Sequence, residues 1–176
     1  MSTYKMFFAG SGGQGVLLMG QMVTFAAMDE NMETTYFPSY GPEMRGGTAN
    51  CTVVVSDKMV SCPLIYEADY VVAMNLPSLI KFEPMIKPGG IIMINSSLIS
   101  QKAKRSDIIV HEVAVNDMAH ELGNVRVANM IMLGAFVRAT KVVSEASIIK
   151  VIDATIGAKK ASLRDLNVRA FEMWSA

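Results

Sequence analysis

Hydrophobic positions along the chain fall into short apolar runs that alternate with longer segments of helical periodicity. The apolar runs predict strands at 4–9, 34–37, 48–56, 70–74, 91–95 and 108–113. The longer segments predict helices at 14–28, 76–85, 116–122, 128–140, 144–156 and 163–174. Short runs bounded by Gly, Pro or Asn are typical of buried strands, whereas apolar residues three and four apart indicate helices. This alternation predicts one α/β domain over residues 1–176, a three-layer Rossmann-like sandwich with a mostly parallel, mixed sheet.

Turn-forming residues set the expected boundaries of the sheet. Pro38 is expected to end the second strand, and residues 87–90 (Lys-Pro-Gly-Gly) are expected to form a turn before the fifth. Asp57 and Lys58 are expected to turn the third strand into a short antiparallel partner at 59–60. That hairpin makes the expected sheet mixed rather than wholly parallel.

Two of the predicted helices have almost no polar face. Residues 14–28 are apolar nearly all round, which indicates a helix buried on more than one side. Residues 128–137 contain Asn129 as their one polar side chain. This second helix is interpreted as a core helix, or alternatively as an interface helix in which Gly134 permits the close approach of a neighbour.

Charge and composition exclude several classes of protein. The chain has 176 residues, of which 51% are hydrophobic, so it can bury a core and is not a disordered tail. Its 16 basic and 16 acidic residues give a formal net charge of zero, which argues against nucleic-acid binding through phosphate neutralisation. The 15 methionines are interpreted mainly as core-filling residues, with a subunit interface as the alternative for some of them.

The chain has few residues that could hold a metal. Cys51 and Cys62 are too few for a disulfide framework or an iron–sulfur cluster, and both are interpreted as structural. The two histidines fit no metal-ligand spacing, so no metal site is expected.

Residues 6–28 lack charge, but glycines and glutamines interrupt them, so neither a membrane span nor an export signal is expected. We therefore expect a cytoplasmic protein.

A glycine-rich turn follows the first predicted strand and precedes the first predicted helix. Gly10, Gly12 and Gly15 satisfy the G-x-G-x-x-G pattern. The first Gly allows a tight turn, the second allows close approach of a phosphate, and the third allows the helix to pack against the strand. The helix N-terminus presents free N–H groups to an anion. The residues expected to bind a cofactor here are Gly10, Gly12, Gly13, Gln14 and Gly15.

Three interpretations of this turn remain open. A dinucleotide site needs an acidic residue at the end of the second strand to bind the ribose. Glu30 and Glu33 stand at about the right distance in sequence, but both precede that strand. The turn is otherwise a tight strand–helix connection without a ligand, or it binds an anion or a cofactor tail at a subunit interface.

The loop after the second strand is the other candidate for chemistry. It leaves the carboxyl end of a strand, the edge at which α/β proteins bind ligands. Arg45 beside flexible glycines can present its planar guanidinium to a carboxylate or phosphate, although it can equally pair with Glu43. The residues expected to bind a cofactor in this loop are Tyr40, Arg45, Gly46 and Gly47.

Together, the two motifs resemble a known family. They read Gly10-Ser11-Gly12-Gly13-Gln14-Gly15-Val16 and Tyr40-Gly41-Pro42-Glu43-Met44-Arg45-Gly46-Gly47. The pair resembles the gamma subunit of 2-oxoacid:ferredoxin (acceptor) oxidoreductases, the pyruvate/ketoisovalerate oxidoreductase group, and the matching domain of single-chain pyruvate:ferredoxin oxidoreductases. The similarity continues through 49–53, 70–74 and 129–137 and covers nearly the whole chain. Within the family, the sequence is most similar to the 2-oxoglutarate branch.

The resemblance implies a division of labour among subunits. Such complexes decarboxylate a 2-oxoacid on thiamine diphosphate, pass electrons through iron–sulfur clusters to ferredoxin or another acceptor, and form acyl-CoA. Alpha and beta subunits and a ferredoxin-like delta subunit carry the thiamine diphosphate, Mg²⁺ and clusters. The gamma subunit packs near the active site and helps to bind CoA. This chain is then expected to have no catalytic residue and no cofactor of its own, and to be inactive alone.

Two other functions stay open on the residues alone. The glycine pattern also fits an independent Rossmann-type dinucleotide-binding protein. A plain interaction module is the third hypothesis, and it requires that changes in the two loops leave the activity of a complex intact.

Overall fold

The computed structural model describes residues 2–40, 48–60, 65–157 and 161–175. Within these ranges, one sheet of six strands has the order β2-β3-β1-β4-β5-β6. The strands are β1 (Thr3–Ser11), β2 (Glu33–Tyr40), β3 (Thr48–Ser56), β4 (Ala68–Ala73), β5 (Ile86–Asn95) and β6 (Ile109–Val113). Strands β1, β4, β5 and β6 pair in parallel, while β3 pairs antiparallel with both β1 and β2. The predicted α/β class and the mostly parallel, mixed sheet are confirmed.

The hairpin predicted after β3 is wrong. Residues 59–60 form no strand, and β3 instead lies between β1 and β2. Its last residue, Ser56, pairs with Thr3 on one side and with Glu33 on the other. Both edges of β3 are therefore occupied, and no edge remains for a partner at 59–60. The sheet is mixed because β3 itself runs against the other strands.

Two features that the sequence predicts as strand breakers, Pro38 and the turn at 87–90, lie inside strands. Pro38 is within β2, which it can occupy because β2 is an edge strand and needs partners on one side only. The predicted turn at 87–90 forms the irregular first half of β5, where the register with β4 shifts between Ala68 and Tyr70. Gly89 has a φ of 78° there, a conformation that favours glycine.

Helices cover both faces of the sheet and give three layers. They are α1 (Val16–Asp29), α2 (Leu76–Phe82), α3 (Val115–Glu121), α4 (Ala128–Thr140), α5 (Glu145–Ile152) and α6 (Ala161–Glu172). Side chains of α1 and α3 to α6 form the larger core with one face, whereas α2 and Ile99 contribute to the smaller core on the other. No helix in the described ranges has both the length and the apolar character needed to cross a membrane.

Helix α4 is a core helix, as the first of its two interpretations states. All ten residues from Ala128 to Val137 are buried. A β-carbon added at Gly134 lies 2.8 Å from the carbonyl carbon of Phe171 and closer still to its oxygen. The close approach that Gly134 permits is therefore that of α6, within the same chain.

Candidate functional site at the glycine turn

The glycine turn lies at the point where the sheet changes its direction of growth. From β1 the chain passes through α1 to β2 and β3 on one side, whereas β4 pairs with the other edge of β1. In open α/β sheets, ligands bind outside the carboxyl ends of the strands at such a switch point. The turn leaves the carboxyl end of β1, so the fold places it where a ligand is expected.

The glycines of the turn have separate structural roles. A β-carbon at Gly10 lies 2.9 Å from both Met74 Cβ and Val16 Cγ1, so only glycine permits the strand to approach the helix this closely. Gly13 and Gly15 have φ values of 93° and 72°, in the left-handed region. Gly12 and Gly13 are exposed. The pattern thus builds a tight turn whose tip is open to solvent.

Gln14 closes the crevice between β1 and β4 with its side-chain amide. Its Oε1 accepts a hydrogen bond of 2.7 Å from the backbone N–H of Ser11, and its Nε2 donates to the carbonyl of Met74 at 3.1 Å. Asn75 Nδ2 donates to Ser11 Oγ at 2.6 Å. These bonds tie the turn to the end of β4 and fix its shape without a ligand.

Three further asparagines lie beside the turn. Asn95 Nδ2 donates to the Met74 carbonyl at 3.3 Å and to Asn116 Oδ1 at 2.8 Å, while Asn95 Oδ1 is buried with no partner in the described part of the chain. Asn129 is only 7% exposed, and its side chain makes no hydrogen bond with any described residue. The Asn129 amide lines the pocket beside the turn, so solvent or a ligand in that pocket can be its hydrogen-bond partner.

A pocket of about 200 Å³ opens between the turn and α4. Its lining residues are Gly13, Gln14, Met74, Asn116, Val125, Arg126, Ala128 and Asn129. Arg126 is exposed at this pocket and forms no ion pair within the described residues. The first turn of α1 contains no acidic residue, and its cap Gly15 has no side chain to cap it.

The electrostatics of this pocket favour an anion. The N–H groups of residues 16, 17 and 18 have no acceptor within the described ranges, and they form the positive end of the α1 dipole. Arg126 adds a full positive charge, and the Asn116 and Asn129 amides add polar groups. Among the described residues, the lining contains no carboxylate. A phosphate or carboxylate group fits this set of donors.

The structure brings the first predicted motif together and leaves part of the second undescribed. Gly10, Gly12, Gly13, Gln14 and Gly15 form the turn. The backbone of Tyr40 ends β2, where Tyr40 and Gly10 flank Ala49 of β3 from opposite sides. Two strand spacings, about 10 Å, therefore separate them. Arg45, Gly46 and Gly47 lie outside the described residues, as does the side chain of Tyr40.

Sequence reasoning missed Asn116, Asn129 and Arg126 as site residues. Asn129 carries a usable signal, because it is a lone amide in the first turn of an otherwise apolar helix. Arg126 gives none, since it stands in a short polar segment where a solvated charge is ordinary. Only the tertiary structure places it beside Gly13.

Neither acidic residue considered for a ribose lies near the turn. Glu30 follows α1 at its far end, where its carboxylate accepts a 2.7 Å hydrogen bond from the backbone N–H of Ser144. Glu33 starts β2 and pairs with Ser56, at the sheet edge opposite the turn. The dinucleotide interpretation therefore lacks its ribose ligand among the described residues.

Cys51 is a buried structural thiol, as predicted. Its Sγ lies 3.7 Å from the carbonyl of Val16, and its side chain is fully buried. Burial raises the pKa of the Cys51 thiol to about 12. A thiol that stays protonated is a poor nucleophile and a poor metal ligand. Cys62 lies outside the described residues.

Residues 5–173 match the family described as pyruvate ferredoxin/flavodoxin oxidoreductase. The chain belongs to this family. It is 37% identical over 165 residues to ketoisovalerate oxidoreductase subunit VorA of Methanothermobacter thermautotrophicus, a match that covers 93% of this chain. It is 35% identical over 147 residues to 2-oxoglutarate synthase subunit KorC of Methanocaldococcus jannaschii, which covers 82% of this chain and 79% of KorC.

A solved structure has the same fold as this chain along almost the whole length of both proteins. The gamma subunit of keto/oxoacid ferredoxin oxidoreductase from Geobacter sulfurreducens superposes with a TM-score of 0.82 at 28% identity, over 97% of this chain and 95% of that one. The resemblance to gamma subunits that the two motifs indicate is thereby confirmed. The chain spans about a third of VorA, 34% of its length.

Proposed function

We propose that this chain is the gamma subunit of a multi-subunit 2-oxoacid:ferredoxin or acceptor oxidoreductase, and that the glycine-turn pocket binds an anionic group of CoA. The observation that carries the proposal is the donor set of the pocket, in which the Asn129 amide and Arg126 line one cavity next to the glycine turn that precedes α1. Family membership supports the complex, and CoA is the anionic substrate that an acyl-CoA-forming reaction requires.

In this proposal the chain binds and positions a substrate but performs no chemistry itself. Thiamine diphosphate, Mg²⁺ and iron–sulfur clusters would be held by alpha, beta and ferredoxin-like delta subunits, where the 2-oxoacid is decarboxylated and its electrons leave for the acceptor. The gamma subunit packs near that site and holds the phosphate end of CoA. The loop with Arg45, Gly46 and Gly47 begins and ends at the same sheet edge, so it is proposed as a second contact.

The proposed 2-oxoacid is 2-oxoglutarate. The KorC relative, a 2-oxoglutarate synthase subunit, matches along most of its length and supports this choice. VorA, a ketoisovalerate oxidoreductase subunit, is slightly more identical. Turnover of the native complex with 2-oxoglutarate, 2-oxoisovalerate and pyruvate decides among them. The highest kcat/KM for 2-oxoglutarate supports the proposal, and a higher value for either of the others contradicts the choice of substrate.

The CoA contact is tested by an Arg126→Ala change in the assembled complex. Loss of a charge-assisted hydrogen bond costs roughly 1.5 kcal/mol, which corresponds to a rise of roughly tenfold in the KM for CoA. The KM for the 2-oxoacid should stay constant because its pocket lies on other subunits. Arg126→Lys keeps the charge but loses the planar guanidinium, so its KM for CoA should lie between that of the original complex and that of the Arg126→Ala variant.

Arg169→Ala is the matched control. Arg169 is exposed on α6 and likewise forms no ion pair within the described residues, but it does not line the pocket. An unchanged KM for CoA in Arg126→Ala and Arg45→Ala, with intact assembly, removes the CoA role from this chain. Full turnover by the purified chain alone would contradict the proposed division of labour.

A further inference from the structure

Helix α1 carries an apolar stripe on its outer side, which we call the α1 stripe and define as Leu18, Gln21, Phe25 and Met28. These positions are three or four residues apart and therefore share one side of the helix. Phe25 and Met28 are 48% and 56% exposed, and Gln21 is the one polar member. Outward positions of a surface helix are usually charged or polar, so exposed Phe and Met side chains need an explanation.

Leu18 packs partly against the larger core, whereas Gln21, Phe25 and Met28 are exposed on the outer side of α1 among the described residues. Gly20 lies on the opposite side, where an added β-carbon would touch Cys51 and Val53 of β3. One flank of α1 faces α5, since Asp29 pairs with Lys150 at 2.9 Å. The stripe thus lies on the outward side, toward the β2 edge of the sheet.

The α1 stripe starts close to the glycine turn. The hydroxyl of Tyr36 in β2 donates to the Leu17 carbonyl at 3.4 Å, which places the start of α1 beside the edge strand. The stripe begins one turn of helix after Gly15, the cap of α1 at the glycine turn. A partner seated on the stripe would therefore reach the end of α1 that adjoins the glycine turn.

Relatives indicate what covers this surface. The chain corresponds to 79% of KorC and 95% of the Geobacter gamma subunit, but to only 34% of VorA. The same domain is therefore a separate chain in some relatives and part of a chain about three times longer in another. Domains that are joined in one protein and separate in another commonly contact each other in both. A companion subunit that corresponds to the remaining two thirds of VorA is therefore the occupant that this comparison supports.

We propose that the α1 stripe is the surface on which this chain docks its companion subunit, the counterpart of the part of VorA outside the match. The inference rests on the proposed function, because it assumes that the chain works in such a complex. The partner surface is apolar and closes over Phe25 and Met28, which act as the buried anchors of the interface. Their burial also seats the companion subunit near the glycine turn.

The test measures the Kd between the purified chain and the purified companion subunit of the same organism by sedimentation velocity. A Phe25→Gln/Met28→Gln double variant keeps helix-forming residues but removes both anchors. It should weaken binding by at least about tenfold, since truncated interface anchors typically cost this much or more. Its melting temperature should match that of the original chain, because exposed substitutions change stability little.

An Ile80→Gln/Leu98→Gln double variant is the matched control. These side chains are 56% and 54% exposed, and they belong to the α2 side of the sheet. The Kd of the control should equal that of the original chain. An unchanged Kd for the stripe variant, an equal loss in the control, or a homodimer of this chain that the stripe variant dissolves would each overturn the inference. Failure of the original chain to bind the companion at all would overturn the proposed function as well.

Discussion

Two features of the structure require glycine at position 15: its left-handed backbone conformation, and the Asn129 side chain that occupies the space where a β-carbon would stand. Its φ is 72°, and a β-carbon there would lie 2.8 Å from Asn129 Cγ and closer still to Nδ2. Gly15→Ala should therefore lower the free energy of unfolding through two separable costs. Asn129→Ala removes Nδ2 and Cγ and keeps only Cβ, which would lie 3.0 Å from the added β-carbon, so it should relieve most of the steric cost and leave the backbone cost.

The two costs can be worked out from the structure. An alanine in the left-handed region costs about 1–2 kcal/mol. Overpacking against the buried Asn129 amide adds about 1–3 kcal/mol, so Gly15→Ala should cost about 2–5 kcal/mol in total. Asn129→Ala alone should cost little, because its amide makes no hydrogen bond with the described residues. The two changes combined should therefore show a coupling energy of at least about 1 kcal/mol.

Urea unfolding of the two single variants and the double variant measures this coupling. Gly13→Ala is the control, since Gly13 has a φ of 93° but no atom within 4 Å of an added β-carbon. It should cost the backbone term of about 1–2 kcal/mol alone and should not couple to Asn129→Ala. If Gly15→Ala costs no more than Gly13→Ala, or costs the same in both Asn129 backgrounds, the close contact between turn and α4 does not constrain Gly15.

Two further predictions concern the core. Gly134→Ala should lower the free energy of unfolding by about 1–3 kcal/mol, because the added β-carbon collides with the Phe171 backbone. Gly157→Ala is the control and should change the free energy of unfolding little, since the nearest neighbour of its β-carbon is a flexible side-chain carbon of Arg164 at 3.2 Å. Equal losses in the two variants would contradict the reasoning. In a Cys62→Ser background, the free energy of unfolding of the chain with Cys51 should fall by about 1.4 kcal/mol from pH 7 to pH 10, relative to that of the Cys51→Ala variant. The reason is that the thiol of the unfolded chain has a pKa near 9, whereas the pKa of the folded thiol is raised to about 12, so only the unfolded chain loses a proton in this range. Urea unfolding at both pH values measures the difference. A difference between the two variants that does not change with pH would refute this.

Much of the fold follows from local signals in the sequence. The predicted bounds of β3 and α4, 48–56 and 128–140, agree with the structure. Both segments have a strong compositional signal and sharp ends, since β3 is rich in Val and Thr and α4 is almost wholly apolar. The direction of β3 was not predictable in the same way, because it depends on which distant strands flank it. The place of Pro38 inside β2 was equally unpredictable, since a strand accepts proline there only because β2 lies at the edge of the sheet.

The candidate site likewise has one part that the sequence predicts and another that depends on long-range packing. The glycine turn is contiguous in sequence, and its pattern alone predicts where it sits. Asn116, Arg126 and Asn129 reach the pocket through the packing of α3 and α4 beside the sheet, which involves residues about a hundred positions away from the turn. A local pattern carries no information on such long-range neighbours, so only the donor groups of the turn itself could be predicted.

The reversed direction of β3 also affects how this part of the protein can vary during evolution. The last residue of β2 and the second residue of β3, Tyr40 and Ala49, are paired neighbours, so the connection between them starts and returns at one fixed point of the sheet. Doubling the length of such a connection costs only about 0.6 kcal/mol in closure entropy. Insertions and deletions at this edge can therefore reshape what stands beside the glycine turn while every strand keeps its register.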